Sequence, residues 1–265
     1  MTGLAVFKSK LISKFVQVIS KTPFRYFTGV LLFMLIKARD KLLPIRWQES
    51  DSVVVLGKGR SLKRVVHFPN DIQDYIVANF TNAEFSQEFI KSRLKNKRII
   101  MMANICENII SPMNVLRYRI EKCQFTRLKA NGTQDPLREK RKHKHVETIG
   151  LKMHYLPERL EKDAINGNNT GMIAIVYAVK ALKKKNVYLA GFDFYEDDYL
   201  IGSLLEHMKT ESYVEHHRKA GEKMEDFLVD FISNHHQTRF YIISNAKFGV
   251  KLDNVILIDR LRSSL

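Results

Sequence analysis

Seven short apolar runs constrain the fold of this chain more than any other feature. They are SVVVLG (52–57), YIVAN (75–79), RIIMMAN (98–104), KMHYL (152–156), NVYLAG (186–191), RFYIIS (239–244) and NVILID (254–259). Each has the length of a strand, and most are apolar without alternation, the pattern of strands buried on both faces of a sheet. Helical patterns fall between several of them, at 83–94, 106–122, 170–184 and 214–234. Strands alternating with helices predict an α/β fold: a single Rossmann-like domain with a mostly parallel sheet and flanking helices on both faces. At 265 residues and 45% hydrophobic content, the chain can bury one such core and carry an appendage. In sheets of this kind, ligands bind beyond the carboxyl ends of the strands.

The appendage is the first fifty residues, which divide the chain into a segment 1–50 and a domain 51–265. Nine Lys or Arg face two acids there, a large share of the formal net charge of +16. Val6, Phe7, Leu11, Ile12, Phe15, Val16 and Ile19 recur at helical steps, with Lys8, Lys10, Lys14 and Lys21 mainly on the other side. Two readings fit: a basic amphipathic anchor on the anionic inner face of the cytoplasmic membrane, or helices packed on the domain. The apolar run 27–36 is shorter than the ~20 residues a spanning helix needs, and no secretory cleavage pattern follows it. Cys106 and Cys123 form no disulfide framework, consistent with a reduced cytoplasmic chain. Residues 127–145, with seven Lys or Arg and two His, read as a long basic surface loop.

Residues with chemistry to offer cluster after the strands. VVVLGKGRSL (53–62) places Gly57, Gly59 and Ser61 at a strand-to-helix turn. Glycines permit close backbone approach, and a helix start offers N–H groups to a phosphate. The run lacks the third glycine of the dinucleotide fingerprint and the lysine-serine ending of a P-loop. Asn79 and Asn104 each end a strand, where an amide serves equally as a ligand contact or as a cap. In NGNNTG (166–171), Asn168, Asn169 or Thr170 is placed to cap the following apolar helix. GFDFYEDDYL (191–200) offers Asp193, Tyr195, Glu196, Asp197, Asp198 and Tyr199. Its acids suit a divalent cation, and its tyrosines suit a departing phosphate without one. SYVEHHRKAGEKMEDFL (212–228) brings His216 and His217 on a helix.

In this order the motifs resemble those of the bacterial sialyltransferases that modify lipooligosaccharide using CMP-sialic acid. Gly57 to Leu62 is similar to that family's G-N-G-P-S-L turn, and Asn79 and Asn104 to its strand-ending asparagines. Asn169-Thr170-Gly171 is similar to its T-S-G, Tyr188 to Tyr195 to its Y-L-S-G-I-D-F-Y, and Tyr213 to Leu228 to its Y-I-G-H with the helix that follows. The resemblance implies a GT-A-like variant of the α/β fold and an inverting transferase that needs no metal and no cofactor. It implies His216 as general base, with His217 as a neighbour able to substitute, and Tyr195 and Tyr199 on the departing phosphate. Gly57, Gly59, Ser61, Asn79, Asn104, Asn169, Thr170 and Gly171 would form the donor site. The partners it implies are a CMP-sugar and a glycan or glycolipid acceptor; the basic segment 1–50 adds an anionic membrane surface, and a homo-oligomer is left open. Lys58 and Arg60 stand where the family turn has asparagine and proline, and either could pair with a donor carboxylate or phosphate. Two other classes remain: a non-enzymatic basic α/β protein binding membrane or nucleic acid, and a Rossmann enzyme using a dinucleotide or methyl donor.

Overall fold

The computed structural model describes residues 50–104, 120–126, 152–157, 169–202, 210–245 and 251–258, with isolated positions elsewhere. The expected amphipathic segment and the basic loop 127–145 lie outside the described residues, apart from a few positions between 31 and 38. No helix among the described residues is long and apolar enough to cross a membrane.

The strands are β1 (Ser52–Leu56), β2 (Asp74–Ala78), β3 (Arg98–Asn104), β4 (Ile120–Thr126), β5 (Lys152–Tyr155), β6 (Asn186–Ala190), β7 (Arg239–Ile243) and β8 (Val255–Leu257). They form one sheet in the order β5-β4-β3-β2-β1-β6-β7-β8, parallel throughout. All seven expected strands are present, and the α/β expectation holds. A 3-10 helix (Arg60–His67), α1 (Asn82–Phe85) and α2 (Glu88–Leu94) follow β1 and β2. α3 (Thr170–Val176) runs into a π-helical turn (Tyr177–Ala181), and α4 (Glu211–Ser233) joins β6 to β7.

Alternate residues of each central strand feed two cores. Val54, Leu56, Tyr75, Val77, Ile99 and Met101 pack with Leu62, Val65, Phe85, Ile90 and Leu94 on one face. Val53, Val55, Ile76, Ile100, Val187, Leu189, Phe240 and Ile242 pack with α3 and with Met224, Leu228, Phe231 and Ile232 of α4 on the other. The crossover from β1 to β2 therefore covers one face, and that from β6 to β7 covers the opposite face. The direction of winding changes between β1 and β6, so the switch point of the sheet, the place where ligands bind in folds of this kind, lies at the carboxyl ends of these two adjacent strands.

Three expectations are corrected. The helix assigned to 106–122 cannot extend to its end, because residues from Ile120 onward form β4. A bulge opposite Ile99 and Ile100 explains the missing strand signal, since it puts Ile120 and Cys123, three apart, into the same core. Burial pushes the Cys123 thiol up, leaving it a packing group. The helix at 83–94 is two helices, because Thr81 and Glu84 form a capping box for α1 and Gln87 starts α2. The helix after Ser61 is a 3-10 helix.

At the amino edge of the sheet, Asp74 binds a bidentate Arg98, with Nε donating across 2.7 Å, and also accepts from Lys184 Nζ at 2.6 Å. Asp74 and Lys184 are both buried. This network ties β2, β3 and the entry to β6 together at the end opposite the switch point.

Candidate functional site at the carboxyl edge

The first turn at the switch point is built on the chain's own close contacts. Gly57 N–H donates to Ala190 O at 2.8 Å and Gly59 N–H to Gly191 O at 2.9 Å, carrying the β1–β6 pairing past both strands. A Cβ at Gly57 would lie 2.3 Å from Gly191 O, and one at Gly59 would lie 2.3 Å from Asp193 Oδ2. This accounts for glycine at both positions without a ligand. Ser61, expected at a phosphate, is fully buried: its N–H donates to Asp193 Oδ2 at 2.9 Å and its hydroxyl accepts from Gly191 N–H at 2.9 Å. The Asp193 carboxylate also accepts from Asn245 N–H at 2.9 Å and Ser244 Oγ at 3.2 Å. A protein carboxylate thus occupies the start of the 3-10 helix where an anion was expected. Asp193 stitches the loops after β1, β6 and β7 together.

Beyond Asp193 the backbone is strained. Phe194 and Tyr195 both have positive φ, 48° and 62°. For non-glycine residues this costs about 1–2 kcal/mol each, and such strain concentrates at functional sites. Two elements hold it. α4 presses Gly221 so close that a Cβ there would lie 1.8 Å from Phe194 O. On the other side, Asn169 Nδ2 donates to the Tyr195 hydroxyl at 3.0 Å. Asn169 Oδ1 accepts from Gly171 N–H at 2.6 Å, so this residue is the cap of α3, and the cap bond fixes which end of the amide faces Tyr195. Thr170 is buried beneath it, and Gly171 is required by Phe192, whose ring carbon would lie 2.6 Å from a Cβ.

Tyr195 is the centre of an aromatic row. Its ring meets Tyr199 edge-on at 6.2 Å and His217 edge-on at 5.5 Å. Tyr199 is placed by an antiparallel bridge to Gly59, and Leu200 N–H donates to Lys58 O at 2.8 Å. The Lys58 ammonium lies 5.5 Å from the centre of the Tyr199 ring. The row lies beyond the carboxyl ends of β1 and β6.

The two histidines differ sharply. His217 is half-buried, and its Nδ1 lies 2.9 Å from Tyr213 O. A carbonyl only accepts, so Nδ1 is the donor in this contact and, in the neutral ring, Nε2 holds the lone pair. His216 is exposed and stacks on the exposed Tyr213 at 6.4 Å. The resemblance implies His216, whereas the ring turned to Tyr195 is His217. The apolar stripe of α4 already carries this signal: Val214, Gly221, Met224 and Leu228 are buried, and position 217 falls on that stripe where 216 does not.

The remaining expected residues lie along the same edge. Asn79 follows β2 with φ 55°, a left-handed conformation asparagine tolerates, and its N–H donates to Met102 O at 2.8 Å. Thr81, not Asn79, caps the next helix. Asn104 is the last residue of β3. Of the acids, Asp197 and Asp198 bind Arg60 at 3.2 and 3.1 Å, and Asn245 Nδ2 donates to Asp197 at 2.8 Å. Among the described residues, no three side chains from His, Cys, Asp and Glu come together as metal ligands. Glu225 on α4 has its carboxyl pushed up, first by burial and then by the charges of Glu196 and Asp226.

Fold and edge cluster together define a doubly wound α/β protein with a row of two tyrosines and a histidine at its switch point. No protein-family model matches the chain, and no curated protein matches it. Among solved structures, it is similar to a variant of the sialyltransferase CST-II in complex with CMP, at 15% identity and a TM-score of 0.49, over 78% of this chain and 86% of that one. It is also similar to the sialyltransferase CstII from Campylobacter jejuni in complex with a substrate analogue, CMP-3FNeuAc, at 15% identity and a TM-score of 0.47, with the same coverage.

Proposed function

We propose that the protein is a CMP-sugar-dependent glycosyltransferase, moving sialic acid or a related acidic sugar to a hydroxyl of a surface glycan or lipooligosaccharide, with inversion and without a metal. The donor class rests on the ordered sequence motifs. The observation that carries the chemistry is the row Tyr199–Tyr195–His217 at the switch point.

In this reading the acceptor oxygen attacks the anomeric carbon as the bond to the CMP phosphate breaks. His217 Nε2 takes the acceptor proton; its Nδ1–H, held on Tyr213 O, keeps the ring in the tautomer that can do so. The Tyr195 hydroxyl accepts from Asn169, so its own proton is directed elsewhere, as a donor to phosphate oxygens must be. Tyr199 joins it at the phosphate, while Asn79 and Asn104 border the donor from the ends of β2 and β3. The basic segment 1–50 holds the enzyme on the inner face of the cytoplasmic membrane; a chain shortened to begin at Trp47 would then no longer co-sediment with anionic vesicles.

The test of the activity is incubation with CMP-sialic acid and a glycan acceptor, following CMP release with and without EDTA. Acceptor-dependent release that persists in EDTA supports the reading. No release above the protein-free rate contradicts it.

A further inference from the structure

We propose that Lys58 is a donor-binding residue: its ammonium binds the phosphate of the CMP-sugar beside the tyrosine row. This rests on the donor reading above and places a lysine ammonium beside the tyrosine row.

The placement follows from the backbone. Gly57 and Gly59 bind Ala190 and Gly191 through their N–H groups, which fixes the backbone on either side of Lys58. Its carbonyl is fixed by Leu200 N–H at 2.8 Å. The side chain then lies between the Tyr199 ring, 5.5 Å from its centre, and Glu84 of α1, with Nζ 3.6 Å from Oε1. Glu84 is buried, and its other oxygen is already bonded to Thr81 N–H at 2.6 Å and Thr81 Oγ at 2.5 Å. The 3.6 Å separation exceeds hydrogen-bond range, so Glu84 steers Lys58 by charge without engaging its N–H donors. The Lys58 side chain keeps 22% of its surface, against 4% for Glu84.

The neighbouring cation is used differently. Arg60 is spread over Asp197 and Asp198, and its side chain is 47% exposed. Of the two cations of this turn, Lys58 is the one beside the tyrosine row. An ammonium placed there strengthens where a phosphate gains charge as the sugar departs, which is where a transferase gains most from a fixed cation.

The experiment compares CMP with cytidine, which lacks the phosphate, by calorimetric titration of the full-length wild-type protein and of Lys58→Met, Lys58→Gln and Lys58→Arg. Thermal melts of each variant report the fold. The expected result is a loss of about 10-fold or more in CMP affinity for the Met and Gln variants, with cytidine changed less than about 2-fold and Lys58→Arg recovering most of the difference. Wild-type CMP affinity retained in either neutral variant overturns the proposal. So does an equal loss for CMP and cytidine, the result if Lys58 only neutralises Glu84. If the wild type binds no CMP, the donor reading itself fails and this inference falls with it.

Discussion

The ring of His217 meets the ring of Tyr195 edge-on, with centroids 5.5 Å apart. One turn further along α4, Gly221 brings the same helix face against Phe194 O. Helix and loop are locked together at two successive positions of one stripe, so the histidine is held at the strained tyrosine by the packing of the helix.

Replacing the two histidines separately distinguishes them. His217→Ala is expected to lower kcat for transfer by about 10²-fold or more, the usual contribution of a positioned base. His216→Ala, exposed beyond Tyr213, should stay within about 3-fold of wild type. Steady-state rates with a CMP-sugar donor and matched melting curves check this; the reverse order of effects would restore His216 as the base.

Gly221→Ala tests the lock. Its Cβ would fall 1.8 Å from a backbone oxygen, which has no flexible end to move aside. The loop carrying Phe194 and Tyr195 must shift, at a cost of about 1–3 kcal/mol, and the tyrosine leaves its place at Asn169. Chemical denaturation should report the lost stability, and transfer should fall more steeply than stability alone explains. An alanine variant with wild-type stability and rate would mean that α4 does not position the loop.

The ionic network at the other edge is structural. Asp74→Ala strands Arg98 and the buried Lys184 without their shared carboxylate, at an expected cost of about 3–5 kcal/mol. Because the network lies at the amino ends of β2 and β3, the donor KM of the surviving folded enzyme should be unchanged. A large rise in KM would contradict this separation of edges.

Glu225 gives a pH signature. Its folded carboxyl is held above its ordinary value by burial and by Glu196. The folded state therefore keeps this proton to higher pH than the unfolded chain does. Stability from this group is greatest at acid pH and is lost as pH rises through the unfolded and then the folded value. Glu225→Gln should melt higher than wild type at pH 7, with the gap closing toward pH 4. A gap that widened on acidification would reverse the assigned sign.

Much of this architecture is legible in the residues. The seven short runs are seven strands, and most are continuously apolar because a strand covered on both faces needs no polar alternation to reveal it. β4 escaped because its bulge and its Glu121, Lys122 and Gln124 erase both periodicity and apolar continuity. The cap at Asn169 follows from residue type and position, but its second bond, to Tyr195, joins residues 26 apart and depends on the fold. Gly57, Gly59 and Ser61 looked like a ligand turn because a glycine needed by a neighbouring backbone reads the same as one needed by a phosphate. Only the placement of Gly191 and Asp193 tells them apart. That the ring beside Tyr195 belongs to His217 is available from the helical stripe, whereas the resemblance implies His216 as the base.

A CMP-sugar donor held at the β1–β6 switch point makes CMP a ligand of the native state. The most direct measurement is a thermal-shift titration of the purified protein with CMP, CDP, UDP and NAD, each with and without EDTA, since a ligand of the native state raises its melting temperature by mass action. Selective, saturable stabilisation by CMP that EDTA does not alter is the expected result. Stabilisation by UDP or NAD with no response to CMP would contradict it.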